Sequence, residues 1–266
     1  MVTPQPRPHL QLGYPPGHWL ASPDPEAVLQ AARAQAALTY SQVKNAFLFE
    51  LLGDLTGARV LDYGCGAGVF AVQAARCGAA LVLGVDAQPS ALACAALLAR
   101  REGVADRVRL VVANTPRVAA RGRFTAVCLR DVIEHVPDEL ALLRDLAGCL
   151  APGGRLVLAT QNAWSLNFLL EGGVRRQLLG QRHWMGWDPT HLRFHTPRSL
   201  RALLAKAGLR PVAWRGAYIL PHKIPAPAGS GRRFWRIETL ARLDRVLGRF
   251  FPLNRLGWSL MVGVRA

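Results

Sequence analysis

Lysine is nearly missing from this chain. It occurs only at Lys44, Lys206 and Lys223, and arginine supplies every other member of the 33 basic residues in 266. Acidic residues are also few, 17 against those 33, which leaves a formal net charge of +16. Such a charge would admit a nucleic acid or an anionic surface as a partner. The bias toward arginine, with abundant alanine, leucine and glycine, is what a GC-rich coding sequence produces, so nucleic acid is the disfavoured partner. No Cys-x-x-Cys pair is present: Cys65, Cys77, Cys94, Cys128 and Cys149 are odd in number and widely spaced. That excludes a disulfide framework and a cysteine zinc site, and it points to a reducing, cytoplasmic setting. No apolar run reaches the roughly 18 residues of a membrane span. No basic-then-apolar leader pattern opens the chain, and no internal repeat is evident.

What is present is a core. Apolar residues make up 51% of the chain, too many for a disordered polymer. Prolines crowd the start, at Pro4, Pro6, Pro8, Pro15 and Pro16, and predict an irregular lead-in up to Pro25. Asp24-Pro25-Glu26 then has the form of a helix start, Asp as N-cap and Pro at the first helical position. Helices are predicted over 26–38 and 41–52, as a lid or packing layer, so that residues 1–53 precede a main domain at 54–266.

From residue 59 strands and helices alternate. Strands are predicted at 59–62, 81–85, 108–112, 124–129 and 155–159, with helices at 69–77, 89–101 and 138–150 and a Pro152-Gly153-Gly154 turn. Repeated β-α-β units with short connections mean a parallel sheet with helices on both faces. The regularity weakens after Thr160. Residues 161–196, rich in Trp, Gly and Arg, are expected to cover the site. A helix at 197–207 and strands at 209–218 and 258–264 follow. Residues 219–257 form a second insertion, containing a helix predicted over 234–251.

The chemistry concentrates where the first strand ends, at Asp62-Tyr63-Gly64-Cys65-Gly66-Ala67-Gly68. Glycines let a chain turn sharply and let a ligand approach the backbone. The helix behind such a turn offers free N–H groups to an anion. The next strand ends at Asp86, about 20 residues on, where a carboxylate can accept hydrogen bonds from ribose hydroxyls. Both a nicotinamide dinucleotide and S-adenosylmethionine (SAM) need that pairing.

The glycine segment resembles the first motif of class I SAM-dependent methyltransferases, D-x-G-C-G-x-G, and Asp86 resembles that family's acidic second motif. Phe124–Asp138, with Arg130-Asp131-Val132-Ile133-Glu134-His135, is similar to its fourth-strand segment. Leu150-Ala151-Pro152-Gly153-Gly154-Arg155-Leu156 is similar to its approach to strand five. His191–Leu200, followed by Ala207-Gly208-Leu209, looks like the C-terminal half of the ubiquinone-biosynthesis-like branch. The resemblance covers residues 55–215. It implies a Rossmann-like α/β fold whose seven-stranded sheet has the order 3-2-1-4-5-7-6 with strand 7 antiparallel. It also implies SAM as cofactor and methyl transfer to a small-molecule acceptor, with a hydroxyl oxygen as the favoured target. An RNA methyltransferase and a non-catalytic SAM-binding scaffold are the alternatives.

On that resemblance Gly64, Cys65 and Gly66 hold the methionine part of SAM through their backbone. Asp62 orients the loop or receives the amino group. Asp86, with Ala87 beside it, takes the ribose. Asn114 stands where the family often has an aspartate that receives the adenine amino group, and its amide still offers an acceptor and a donor. Arg130 and Asp131 are expected beside the methionine part. Two readings stand for the next element. In one, His135 is the general base on the acceptor hydroxyl, work to which imidazole is suited near neutral pH. In the other, Asp131, Glu134 and His135 bind a divalent metal, as a similar E-x-x-E-H cluster does in metal-dependent relatives. The first is adopted, with no metal.

His191 and His195 bracket Arg193-Phe194, either facing the site or packing on the fifth strand. Trp164, Trp184 and Trp187 suggest an aromatic wall for a planar or apolar acceptor. In 234–251 apolar residues recur every three or four positions among arginines. The pattern describes a cationic amphipathic helix, which either packs on the domain or makes a peripheral membrane contact.

Overall fold

Apolar residues alternate between two faces along the central strands, and that alternation dictates where the helices go. In β1 (Arg59–Tyr63) Val60 points to one apolar layer while Leu61 and Tyr63 point to the other. In β4 (Phe124–Arg130) Ala126 and Cys128 face the first layer, Val127 and Leu129 the second. The computed structural model that shows this describes residues 18–119, 123–182, 184, 188, 190–220, 223–225 and 234–266.

Strands β2 (Leu81–Asp86), β3 (Val108–Val112), β5 (Leu150–Gln161), β6 (Arg210–Ala217) and β9 (Ser259–Arg265) complete a seven-stranded sheet in the order β3-β2-β1-β4-β5-β9-β6. β9 is the seventh strand of this sheet and runs antiparallel to both β5 and β6. The order is therefore the expected 3-2-1-4-5-7-6. A separate two-stranded ribbon of β7 (Lys223–Pro225) and β8 (Phe234–Arg236) accounts for the two intervening numbers. The first layer is closed by α1 (Pro25–Ala36), α2 (Thr39–Leu52), α3 (Val69–Arg76) and α4 (Pro89–Arg101). The second is closed by α5 (Glu139–Cys149) and α7 (Pro197–Lys206). The N-terminal helices thus share one core with the sheet: Val28, Leu29, Val43 and Phe47 lie in the same cluster as Val60, Val82 and Met261.

Local signals set the ends. Asp24 caps α1, its carboxylate accepting from the Glu26 N–H at 2.9 Å, and Thr196 and Ser199 form a reciprocal capping box on α7. The proline-rich residues 1–17 lie outside the described residues. The Pro152–Gly154 turn falls inside β5, at an irregularity where pairing with β4 jumps from Phe124–Leu150 to Ala126–Arg155.

The helix expected over 234–251 is shorter. Residues 234–236 pair with 223–225 as β8, so α8 spans only Glu238–Leu247. A ribbon satisfies those backbone groups before the helix can, and the helix stops against the sheet edge. A Cβ at Gly248 would stand 2.0 Å from the Gly216 carbonyl oxygen. The inner face of α8 also differs from the amphipathic expectation. Ala241 and Asp244 are buried, while Leu243 is 46% and Val246 55% exposed.

Candidate active site

A cavity of about 440 Å³ opens at the carboxyl ends of β1 and β4, the place where α/β sheets bind ligands. Gly64, Cys65, Gly66, Arg130, Asp131 and His135 all line it. The turn after β1 is shaped by close approach. Gly64 has φ +74, and a Cβ there would lie 2.3 Å from the Val132 side chain. The Cys65 thiol is buried, which pushes its pKa well up, so it is a filler of the loop and no nucleophile.

Asp62, Asp86, Ala87 and Asn114 are not among the lining residues. Asp62 is 2% exposed beneath the loop; burial pushes its carboxyl up to about 7, against the pull of the Arg130 guanidinium. Asp86 accepts the Gly66 N–H at 2.8 Å and the Gln88 N–H at 2.9 Å. It ties the loop after β1 to the end of β2, and each oxygen keeps a further lone pair for a ligand. Ala87 is buried and Asn114 half-buried beyond it.

Beyond β4 the backbone turns hard. Asp131 has φ +53, the left-handed region that side chains other than glycine rarely adopt. Its N–H donates to the Ala159 carbonyl at 3.0 Å. One carboxylate oxygen meets the Lys44 ammonium, and the other, Oδ1, is buried without a partner among the described residues. Burial works against both charges, yet each holds the other ionised: Lys44 is raised by Asp131, and Asp131 lowered by Lys44. Next to this pair the Arg130 guanidinium donates to Asn45 Oδ1 at 2.9 Å. Helix α2 therefore supplies the cavity with Tyr40, Ser41, Lys44 and Asn45, a face that sequence reasoning missed. A signal existed, since one of only three lysines sits in this helix, between the apolar Val43 and Phe47.

The short turn Ile133–His135 carries the remaining polar groups. Glu134 is fully buried and accepts from Thr160 Oγ1 at 2.9 Å and Gln161 Nε2 at 3.1 Å. Burial, then the nearby Asp131, pushes its carboxyl up to about 7. His135 Nδ1 lies 3.0 Å from the Thr190 hydroxyl, which itself lies 2.6 Å from Asp188 Oδ1. Although burial opposes it, the two Thr190 hydrogen bonds hold the Asp188 carboxyl below the ordinary range. The Thr190 hydroxyl has one proton. Given to Asp188, it leaves the oxygen as acceptor for His135 Nδ1–H, so Nε2 carries the free lone pair.

The covering segment splits the two histidines that the sequence treats as a pair. The His191 ring sits 4.8 Å from that of His135 and lines the cavity. His195 is buried, bridges to Asn162 at the end of β5, and stands 3.1 Å from Glu139. Donor atoms of Glu134, His135 and His191 lie within 4.8 Å of one another. That grouping differs from the Asp131, Glu134 and His135 set of the sequence, because Lys44 occupies Asp131. The aromatic wall differs too. Trp164 is 49% exposed and Trp184 stacks on Phe168, away from the cavity, and Trp187 lies outside the described residues. Trp19, Tyr40 and Trp258 line the cavity instead.

Comparison with known proteins agrees with this architecture. Residues 23–213 match a family model described as a methyltransferase domain. A ubiquinone biosynthesis O-methyltransferase of Cereibacter sphaeroides is 37% identical over 169 residues, 62% of this chain and 65% of that protein. The match thus spans just under two thirds of that relative. Its counterpart in Bordetella avium is 31% identical over 197 residues, 73% of this chain and 77% of the relative. Among solved structures, a SAM-dependent methyltransferase of Mesorhizobium loti superposes with a TM-score of 0.58 at 17% identity, over 86% of this chain and 99% of that one. A geranyl diphosphate C-methyltransferase of Streptomyces coelicolor gives 0.57 at 17% identity, over 97% and 88%. Sheet order, glycine turn and matched span agree, and the chain belongs to the methyltransferase-domain family.

Proposed function

We propose that this chain is a SAM-dependent methyltransferase that methylates a hydroxyl oxygen of a small molecule, with His135 as general base. The observation that carries the reading is one cavity holding the Gly64–Gly66 turn and His135 together. The names of the O-methyltransferase relatives support the acceptor atom. The turn fits SAM, because a side chain at Gly64 would strike Val132 and the orphaned Asp131 Oδ1 calls for a cationic partner. Gly64, Cys65, Gly66, Arg130 and Asp131 would hold its amino-acid end, Asp86 and Ala87 its ribose side, Asn114 its adenine, and Asp62 the loop itself. When bound, SAM supplies a methyl group on a sulfonium, an electrophile that needs in-line approach above all.

The protein's own task is then to place the acceptor and remove its proton. His135 Nε2 is the basic atom, oriented through Nδ1 by Thr190 and Asp188, as a third group orients the base in other acid–base sites. Residues 161–196 act as the cover that keeps water from the reacting atoms. A second reading is favoured by one observation, the Glu134, His135 and His191 cluster, whose donors suit a divalent cation. In that case Glu134, His135 and His191 would hold the cation, which would supply Lewis acidity toward the acceptor hydroxyl.

One assay separates the two: transfer of labelled methyl from SAM to a catechol, with and without a chelator, in wild type and His135→Ala. On the base reading the chelator changes nothing and His135→Ala loses about 10²–10⁴-fold in rate. Abolition by the chelator, with rescue by added divalent metal, establishes the second reading instead.

The setting we propose is cytoplasmic with peripheral membrane contact through 234–251. No helix among the described residues is long and apolar enough to cross a membrane. Leu243 and Val246, 46% and 55% exposed, stand among Arg242 and Arg245 on the outside of α8, and Phe250, 60% exposed, follows the helix, a pattern suited to an anionic interface.

A further inference from the structure

Of the stretch His191-Leu192-Arg193-Phe194-His195, only the first residue lines the cavity. The rest runs alongside the chain that carries His135. The Leu192 N–H donates to the Glu134 carbonyl at 2.9 Å. The Arg193 guanidinium takes the residues that follow His135. Its Nη1 donates to the Val136 carbonyl and, at 3.3 Å, to Glu139 Oε2, while Nη2 donates to the Pro137 carbonyl at 3.2 Å. His195 stands 3.1 Å from the same Glu139 oxygen. Residues 190–195 are thus fastened to residues 134–139. The fastening ends on the first residue of α5, a helix anchored by the fully buried Leu142, Leu143 and Leu146. What it holds in place is Thr190, whose hydroxyl lies 3.0 Å and whose carbonyl oxygen lies 3.3 Å from His135 Nδ1. A carbonyl oxygen only accepts, so its hydrogen bond requires the hydrogen on Nδ1 and leaves the lone pair on Nε2. Arginine suits this fastening because its planar fork presents donors from separate nitrogens at fixed angles; a lysine would have to serve the same acceptors from one point on a flexible stem.

We infer that Arg193 is a positioning residue for the general base: it sets the covering segment against residues 134–139 so that Thr190 keeps His135 with Nε2 as the basic atom. The inference rests on the reading of His135 as general base given above. Arg193 does not line the cavity, so it acts only through the backbone that follows His135 and through Thr190. The neighbouring residues of the stretch keep the segment in register. Phe194 packs on Phe168 and Trp258, and the His195 N–H and carbonyl bond to Gln161 and Ala163. The cover and the base therefore move as one unit, and in-line transfer depends on that unit, since a base misplaced by about 1 Å costs on the order of a hundredfold in rate.

The test reads the imidazole directly. Nitrogen NMR of the full chain labelled at histidine, with the His135 signal assigned by its loss in His135→Ala, is expected to show the Nδ1–H tautomer in wild type. Arg193→Met should add the Nε2–H tautomer, and Arg193→Lys, which keeps the charge but not the fork, should do so in part. The Arg193 side chain is 30% exposed, so its truncation opens no cavity in the core, and Arg193→Lys carries the test should Arg193→Met not fold. Methyl transfer to the catechol is expected to lose about 10- to 100-fold in kcat in Arg193→Met, with the KM for SAM unchanged within about twofold. The same tautomer in wild type and both variants overturns the inference. So does a KM for SAM that rises as much as kcat falls, which marks a purely structural contact. A wild-type rate in His135→Ala sinks the base reading instead, and the tautomer measurement, which needs no turnover, still reports whether Arg193 holds His135.

Discussion

Helices α2 and α8 pack against each other, yet they bury opposite kinds of side chain. α2 is enclosed on nearly every side: Val43, Phe47, Leu48 and Leu52 join the core while Lys44 and Asn45 are buried facing the cavity. α8 turns Ala241 and Asp244 inward and leaves Leu243 and Val246 in solvent. Asp244 serves as a cap for the chain leaving β6, accepting the Tyr218 N–H at 2.6 Å and the Ile219 N–H at 3.2 Å. Glu50 of α2 then ties the two regions, holding Arg215 of β6 and Arg249 beyond α8. In α2 a buried charge, Lys44, marks the face that lines the cavity. In α8 a regular apolar stripe marks an outer surface, and the buried face is the small and acidic one.

The sharpest way to break this contrast is at the shared contact. Phe47→Ala removes a side chain that is 1% exposed, and we expect a loss of about 3–5 kcal/mol in urea unfolding. Gly248→Ala puts a methyl group 2.0 Å from the Gly216 carbonyl and should cost about 1–3 kcal/mol by the same measurement, since α8 must lift from the sheet edge. Asp244 gives a smaller, pH-dependent effect. Burial raises its carboxyl to about 6 in the folded chain, against about 3.9 when unfolded. Between those values the folded state holds more protons, so stability falls as pH rises from about 4 to about 6. Asp244→Asn should flatten that decline, read as the slope of unfolding free energy against pH. The smallest effect is expected outside: Val246→Ser should shift stability by less than about 0.5 kcal/mol. The same variant should lower partitioning onto anionic vesicles, and unchanged partitioning would count against the membrane contact.

Much of the fold was legible because its elements obey simple periodicities. The short apolar runs at 59–63, 81–86 and 124–130 are strands, and Asp24 and Thr196 mark helix starts by their side-chain chemistry. The glycine turn was legible for the same reason, since close approach to Val132 leaves room for no other residue at 64. Where the reading failed, a tertiary partner outbid the local pattern. Residues 234–236 have helical periodicity but pair with 223–225. His191 and His195 are four apart in sequence, yet Glu134 draws the backbone of Leu192 to 2.9 Å and leaves one histidine at the cavity and the other under β5.

The sequence by itself determined the family and the loop that faces a ligand, because these depend on residue type at fixed short spacing, and the strand order followed from the family resemblance alone. Only the tertiary structure decided which side chains surround that loop. Lys44 and Asp131 are 87 residues apart, as Thr190 and His135 are 55 apart. Contacts at such separations are made by the packing of whole helices and strands, and no local propensity encodes them.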